Sequence, residues 1–292
     1  MNRTCIVKPS QEGRRLSAFL HHDMGISSSQ IRSAKWAGRI LVNGKPETVA
    51  CYLRTGDLVE FVLPQAEPVY EVHPREMPLS IPYRDDYMLI IDKPAGLATS
   101  SSLNHPDDAL ENALFSALGC PADYVFRPVN RLDKGTSGLM CAALDPVTQH
   151  TLQSMLHTPE FEREYLAVTD GIPEKDRGVI DLPIAKAEGP TLRREIRPDG
   201  KPSVTNYEVL EARRGRALLK LKLETGRTHQ IRVHLSALGT PVFGDFMYGR
   251  ESEELPGRFA LHSAFLTLRH PDSGEKMTFS SPLPEDLRRL LD

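Results

Sequence analysis

The chain lacks most of what would mark a membrane protein, a metal centre or a disulfide scaffold. Its 292 residues include only 4 cysteines and 1 tryptophan. The cysteines (Cys5, Cys51, Cys120 and Cys141) stand far apart and form no Cys-x-x-Cys or other ligand spacing. They read as free thiols in a reducing compartment. No apolar run nears the roughly 20 residues that cross a bilayer, and the opening Met-Asn-Arg-Thr-Cys-Ile-Val-Lys carries no signal-peptide core. The expectation is a cytoplasmic protein without a membrane contact or a bound metal. A strong net charge is also missing: 36 Lys and Arg face 39 Asp and Glu, a net of −3. Nucleic-acid-binding domains tend to be basic, so the average weighs against such a partner. The distribution weighs the other way. Residues 1–64 hold nine Lys or Arg against five Asp or Glu, a local +4 that leaves −7 for the rest, and binding follows the local field.

A hydrophobic share of 40% and a charged share of 26% are those of a globular protein large enough for one big domain and one small one. The small one falls in residues 1–64. Arg15-Leu16 and Phe19-Leu20 have helical spacing, and Ser27 to Ser29 offer caps for a second helix carrying Ile31, Arg32, Lys35 and Trp36. Ile40 to Val42 then reads as a strand entering an Asn43-Gly44 turn, and Leu58 to Leu63 as another strand. Residues 65–79, with Pro68, Pro74 and Pro78 among mixed charges, read as a linker. The large domain spans residues 80–292. Strands are expected at Met88 to Ile91, Phe161 to Gly171, Gly178 to Ile184, Ser203 to Ala212 and Ala217 to Glu224. Helices are expected at Val147 to His157 and from Ile231, capped by Thr228 and ended by Gly239. Strands and helices segregate in this way in an α+β fold whose sheet is mixed and mostly antiparallel.

The most informative stretch is Arg127-Pro-Val-Asn-Arg-Leu-Asp-Lys-Gly-Thr-Ser-Gly138. Asp133 sits among Arg127, Arg131 and Lys134, ahead of an apolar strand. Neighbouring cations favour the ionised form of a carboxylate, which suits a nucleophile or base. Composition alone leaves an ordinary tight turn open. His229 and His234 are five apart, off the i, i+4 spacing of a helical zinc pair.

Arg131-Leu-Asp-Lys-Gly-Thr-Ser-Gly138 resembles the His-Arg-Leu-Asp-x-x-Thr-Ser-Gly signature of RluA-type pseudouridine synthases, with Asn130 where His is usual. Further motifs agree in order. They are Asp92-Lys-Pro-Ala-Gly96, Arg163-Glu-Tyr165-Leu-Ala167 (Arg163 replacing the usual Lys), Gly226-Arg-Thr-His-Gln-Ile-Arg232 and Ala260-Leu-His262. Residues 1–64 resemble the alpha-L RNA-binding module, through Arg15-Leu16, Ser29 to Arg32, Val42-Asn43-Gly44 and Gly56-Asp57. The resemblance implies an isomerase that detaches uracil from ribose and rejoins it through C5, without cofactor or metal. It implies Asp133 as the catalytic carboxylate, by attack on the sugar or removal of a sugar proton. Arg227 is expected to pair with Asp133, Arg131 to fill the space of a flipped uridine, Tyr165 to stack on its base and Leu261 to line the pocket. Arg15, Arg32, Lys35 and Lys45 are expected to meet RNA phosphates. Large-subunit ribosomal RNA is the expected partner ahead of tRNA, and the expected state is a monomer. The same motifs leave open a catalytically weakened RNA-binding or ribosome-assembly protein.

Overall fold

The structure, a computed structural model, describes residues 2–63, 71–102 and 105–292. Pro64 and Pro68, at and just past the small unit's end, lie outside the described residues; residues 71–79 carry no helix or strand.

The N-terminal segment forms β1 (Asn2–Ile6), α1 (Leu16–His22), α2 (Ser28–Trp36), β2 (Ile40–Val42), β3 (Lys45–Pro46) and β4 (Leu58–Val62). The four strands pair antiparallel in the order β1-β4-β2-β3. Leu16, Phe19 and Leu20 of α1 meet Val59 and Phe61 of β4 in a core of their own. The Ser27 hydroxyl accepts from the Gln30 N–H while the Gln30 side chain accepts from the Ser27 N–H, a reciprocal cap at the start of α2. Asn43 and Gly44 take φ values of 52° and 76° between β2 and β3, the two positive φ values of a type I′ turn.

The remaining chain adds β5 (Ser80–Arg84), β6 (Met88–Lys93), α3 (Leu110–Ala117), β7 (Ser137–Ala143), α4 (Pro146–Met155), β8 (Phe161–Asp170) and β9 (Arg177–Asp181). Then come β10 (Ile184–Lys186), β11 (Arg194–Ile196), β12 (Val204–Arg213), β13 (Arg216–Leu223), α5 (Gln230–Ala237), β14 (Leu261–Arg269), β15 (Lys276–Ser280) and α6 (Glu285–Arg288). Nine of these strands make one sheet in the order β5-β6-β7-β14-β8-β13-β12-β9, with β15 on β14. Its pairs are antiparallel except β7 with β14. The alternation of side chains along a strand sorts its residues between two cores. Leu89 and Ile91 of β6 join Met140, Tyr165, Leu219 and Leu221 on one face, with Leu114 and Leu235 from the helices. Met88 and Ile90 join Leu139 and Leu152 of α4 on the other. Each such buried Leu or Ile contributes about 1.5–3 kcal/mol.

The two parts touch along α4. Val147 belongs to the N-terminal core, and Arg3 of β1 donates to Asp145 at 2.8 Å and to Thr148 while stacking 4.5 Å over Tyr87. In the basic stretch from Arg193 to Lys201, Arg194 to Ile196 pair with β10 as a short hairpin. One expectation changes. The helix after Arg227 starts from His229, not from a Thr228 cap: His229 holds φ 59° and ψ 16°, and the Gln230 side chain accepts from the Arg227 N–H instead.

Candidate active site

Asp133 stands in the loop between Asn130 and β7, which is fastened on three sides. The Thr99 hydroxyl donates to the Leu132 carbonyl at 2.8 Å, and the Gly96 N–H donates to the Lys134 carbonyl at 2.8 Å. The Thr136 N–H closes the turn on the Asp133 carbonyl at 3.0 Å. Below the loop, the fully buried Lys93 Nζ donates to the carbonyls of Leu97 (2.9 Å), Pro94 (3.0 Å) and Lys134 (3.4 Å). Burial pushes the Lys93 ammonium down to about 7, with Asp133 acting to raise it. The last glycine of the motif answers to close approach: a Cβ on Gly138, at φ 105°, would lie 2.2 Å from the Ser263 carbonyl oxygen where β7 and β14 run parallel.

The cation that meets Asp133 is Arg232. Its Nη1 donates to Asp133 Oδ2 at 3.1 Å, while Nε and Nη2 hold Asp245 in a fork at 2.7 and 2.9 Å. The guanidinium lies 4.1 Å from the centre of the Phe259 ring and 4.9 Å from that of Tyr248. Burial works to lower the Arg232 pKa, but Asp245 and then Asp133 outweigh it and leave it raised. This corrects the expectation for Arg227. Arg227 precedes the turn at His229, and its Nε donates to the Pro202 carbonyl at 3.2 Å on the rim of the cleft. Arg232 follows that turn on α5, with its side chain only 3% exposed. His229 lies between them: its Nδ1 is 2.8 Å from the Tyr248 hydroxyl and its Nε2 is 3.9 Å from Asp133 Oδ2. Burial lowers the His229 pKa, against the pull of Asp133.

These groups open onto a cleft of about 1160 Å³ lined by Asn130, Arg131, Asp133, Arg163, Arg227 and Arg232, among others. A smaller hollow of about 60 Å³ shares Asp133 and Arg131 and reaches Tyr165 and Leu261. The structure therefore brings Asp133, Arg131, Tyr165, Arg227 and Leu261 together. Tyr165 is buried, and burial raises its hydroxyl's pKa. Arg131 is exposed at the mouth. Asn130 is buried, and its Oδ1 accepts the Cys141 N–H at 2.9 Å, so it ties the loop to β7. Arg15, Arg32, Lys35 and Lys45 are elsewhere, exposed on the N-terminal unit. Sequence reasoning missed Arg232, Asp245, Lys93 and Tyr248. Asp245 carried the available signal, an acid inside the apolar run Val242 to Tyr248 that has to find a buried cation. Among the described residues no cluster of three His, Cys, Asp or Glu could hold a metal ion, and no helix is long and apolar enough to cross a membrane.

The RNA pseudouridylate synthase family matches over residues 87–237. The ribosomal large subunit pseudouridine synthase D of Xanthomonas campestris is 37% identical, covering 99% of this chain and 91% of its own length. Its namesake in Escherichia coli K12 is 34% identical, covering 99% and 93%. Among solved structures, human RNA pseudouridylate synthase domain containing 1 superposes with a TM-score of 0.59 at 31% identity, over 70% of this chain and 83% of that one. The chain belongs to the RNA pseudouridylate synthase family, in its RluA-type branch, and is an isomerase of RNA uridines.

Proposed function

We propose that this enzyme converts uridines of large-subunit ribosomal RNA to pseudouridine, with Asp133 as its catalytic carboxylate and Arg232 as the group that orients it. The observation that carries the reading is the 3.1 Å contact from Arg232 to Asp133, two residues that line both the cleft and the small hollow reaching Tyr165 and Leu261. A uridine has to leave its stack to reach that depth. Arg131, exposed at the mouth, takes the vacated space, and Tyr165 and Leu261 bound the base. Asp133 then either attacks the sugar or removes a sugar proton; both routes need a carboxylate held in one orientation, which the Nη1 bond from Arg232, itself fixed by its fork on Asp245, supplies. The detached uracil stays confined while it turns, so that C5 and the ribose meet again as neighbours. Arg227 on the rim contributes to binding, not to the orientation of Asp133. The names of the bacterial relatives favour ribosomal RNA over tRNA, and the exposed Arg15, Arg32, Lys35 and Lys45 suit backbone contacts by a separate N-terminal module of residues 1–64.

The test is tritium release from C5-labelled uridine in large-subunit ribosomal RNA. Wild type is expected to release label, and Asp133→Asn to lose at least about 10⁴-fold in rate, the scale set by removing a central catalytic group, while still binding the RNA. Turnover by Asp133→Asn near the wild-type rate would remove the carboxylate from the mechanism.

A further inference from the structure

Beside the cleft, and sharing Gly226, Arg227 and Thr228 with it, is a second hollow of about 460 Å³. Its walls are the hairpin of β10 and β11 and the turn that follows. Lys186, Arg194, Lys201 and Arg227 converge on it. Among the described residues no carboxylate lies within 4.0 Å of any of these four cations. The acid in the lining, Asp199, is already held by Arg197 through bonds of 2.8 and 2.5 Å. Arg194 Nε is buried and has no hydrogen-bond partner.

The backbone fixes this cluster. Ile184 and Lys201 exchange both N–H···O bonds at 2.9 Å. Gly200 lies so flat on the hairpin that a Cβ there would come 2.7 Å from the Ile184 carbonyl carbon. Four like charges held around one concavity repel one another, and an anion shared among them relieves that repulsion. The hairpin also faces the reaction site: exposed Leu192 at its tip lines the cleft. The Arg194 N–H donates to the Tyr248 hydroxyl, which contacts His229 beside Asp133.

We propose that this hollow is a phosphate subsite for the RNA strand adjoining the flipped uridine, with Lys186 and Lys201 acting as point charges and Arg194 and Arg227 as hydrogen-bonding forks. The inference rests on the cleft being an RNA uridine site and adds where the neighbouring backbone runs. A sugar-phosphate strand is favoured over a free phosphate because Arg227 lines both spaces, so one chain can fill them together.

The full-length protein is titrated with a uridine dodecamer over a range of salt. Neutralising two single-strand phosphate contacts in Lys186→Gln/Lys201→Gln should make the slope of log affinity against log salt shallower by about 1.4. Between about 50 and about 200 mM salt, wild type should then lose roughly sevenfold more affinity than the variant. A matched-charge control, Arg213→Gln/Arg214→Asn at the β12–β13 turn, should keep the wild-type slope. In the unmutated protein, lysine acylation read by mass spectrometry should show Lys186 and Lys201 protected by the dodecamer, and far less by inorganic phosphate at equal phosphate concentration. An unchanged slope, an equal loss in the control, or unprotected lysines would each overturn the subsite; equal protection by inorganic phosphate would overturn its assignment to RNA. These binding arms report even if wild type releases no tritium, so the failure of the catalytic reading and of the subsite are separable.

Discussion

Arg232 in the cleft and the cations on α2 of the N-terminal unit are held in opposite ways. Arg232 is 3% exposed and contacts two carboxylates while resting on Phe259. Arg32 and Lys35 on α2 are exposed, and among the described residues neither has a carboxylate within 4.0 Å. A buried guanidinium with every direction occupied imposes one orientation on its partners, and removing it strands a charge. A solvated cation keeps its freedom and meets a phosphate with little positional demand, which gives affinity without sequence choice. The difference separates a cation built to orient its neighbours from cations left free in solvent.

The comparison breaks most visibly at Arg232 against Arg227. Arg232→Ala leaves Asp245 buried without a cation, so stability should fall by about 3–5 kcal/mol, read by denaturant unfolding. Arg232→Lys keeps a charge but loses the fork. It should stay folded while turnover drops by about 10²-fold or more. Arg227→Ala, on the rim, should change stability by no more than about 0.5 kcal/mol and act chiefly through KM. If Arg227→Ala cost more turnover than Arg232→Lys, the two arginines would have to exchange roles. On the N-terminal unit, Arg32→Gln/Lys35→Gln should make the salt slope of RNA binding shallower by roughly 1.4–1.8. At saturating RNA its kcat should stay within about twofold, as expected where only uniform binding is removed. A lower kcat with unchanged binding would show that the module positions the target instead of holding it.

Much of this arrangement was legible in the sequence where one local rule decides. Strand β8 forms over Phe161–Asp170, where a strand from Phe161 to Gly171 is expected. Ser27 caps α2, and Asn43-Gly44 turns the hairpin. The partner of Asp133 was not legible in that way. Two arginines five residues apart compete for it, and the outcome depends on where α5 begins. That start is set by His229 at φ 59°, a conformation few non-glycine residues adopt and no periodicity reveals. Strands β10 and β11, three residues each, are too short for alternation to stand out among charges. Lys93 in Asp-Lys-Pro reads as a surface cation before a turn; only the packed sheet shows that it is buried under the Asp133 loop.

Lys93 also gives the comparison its smallest and most specific test, because a buried cation leaves a pH signature in stability. Its folded-state value is pushed down to about 7 from the ordinary 10.5 by burial. Between those two values the unfolded chain carries the proton and the folded chain does not, so stability rises with pH across that interval and is flat below it. One proton is at stake, so the slope should be at most about 1.4 kcal/mol per pH unit, and the three carbonyl acceptors around Nζ, which favour the charged form, narrow the interval. Subtracting the unfolding free energy of Lys93→Met from that of wild type at each pH isolates this group from the other titrating side chains. The difference should climb from about pH 7 to about pH 9, and a flat line there would mean that Lys93 stays charged beneath the loop, held by its carbonyls and by Asp133.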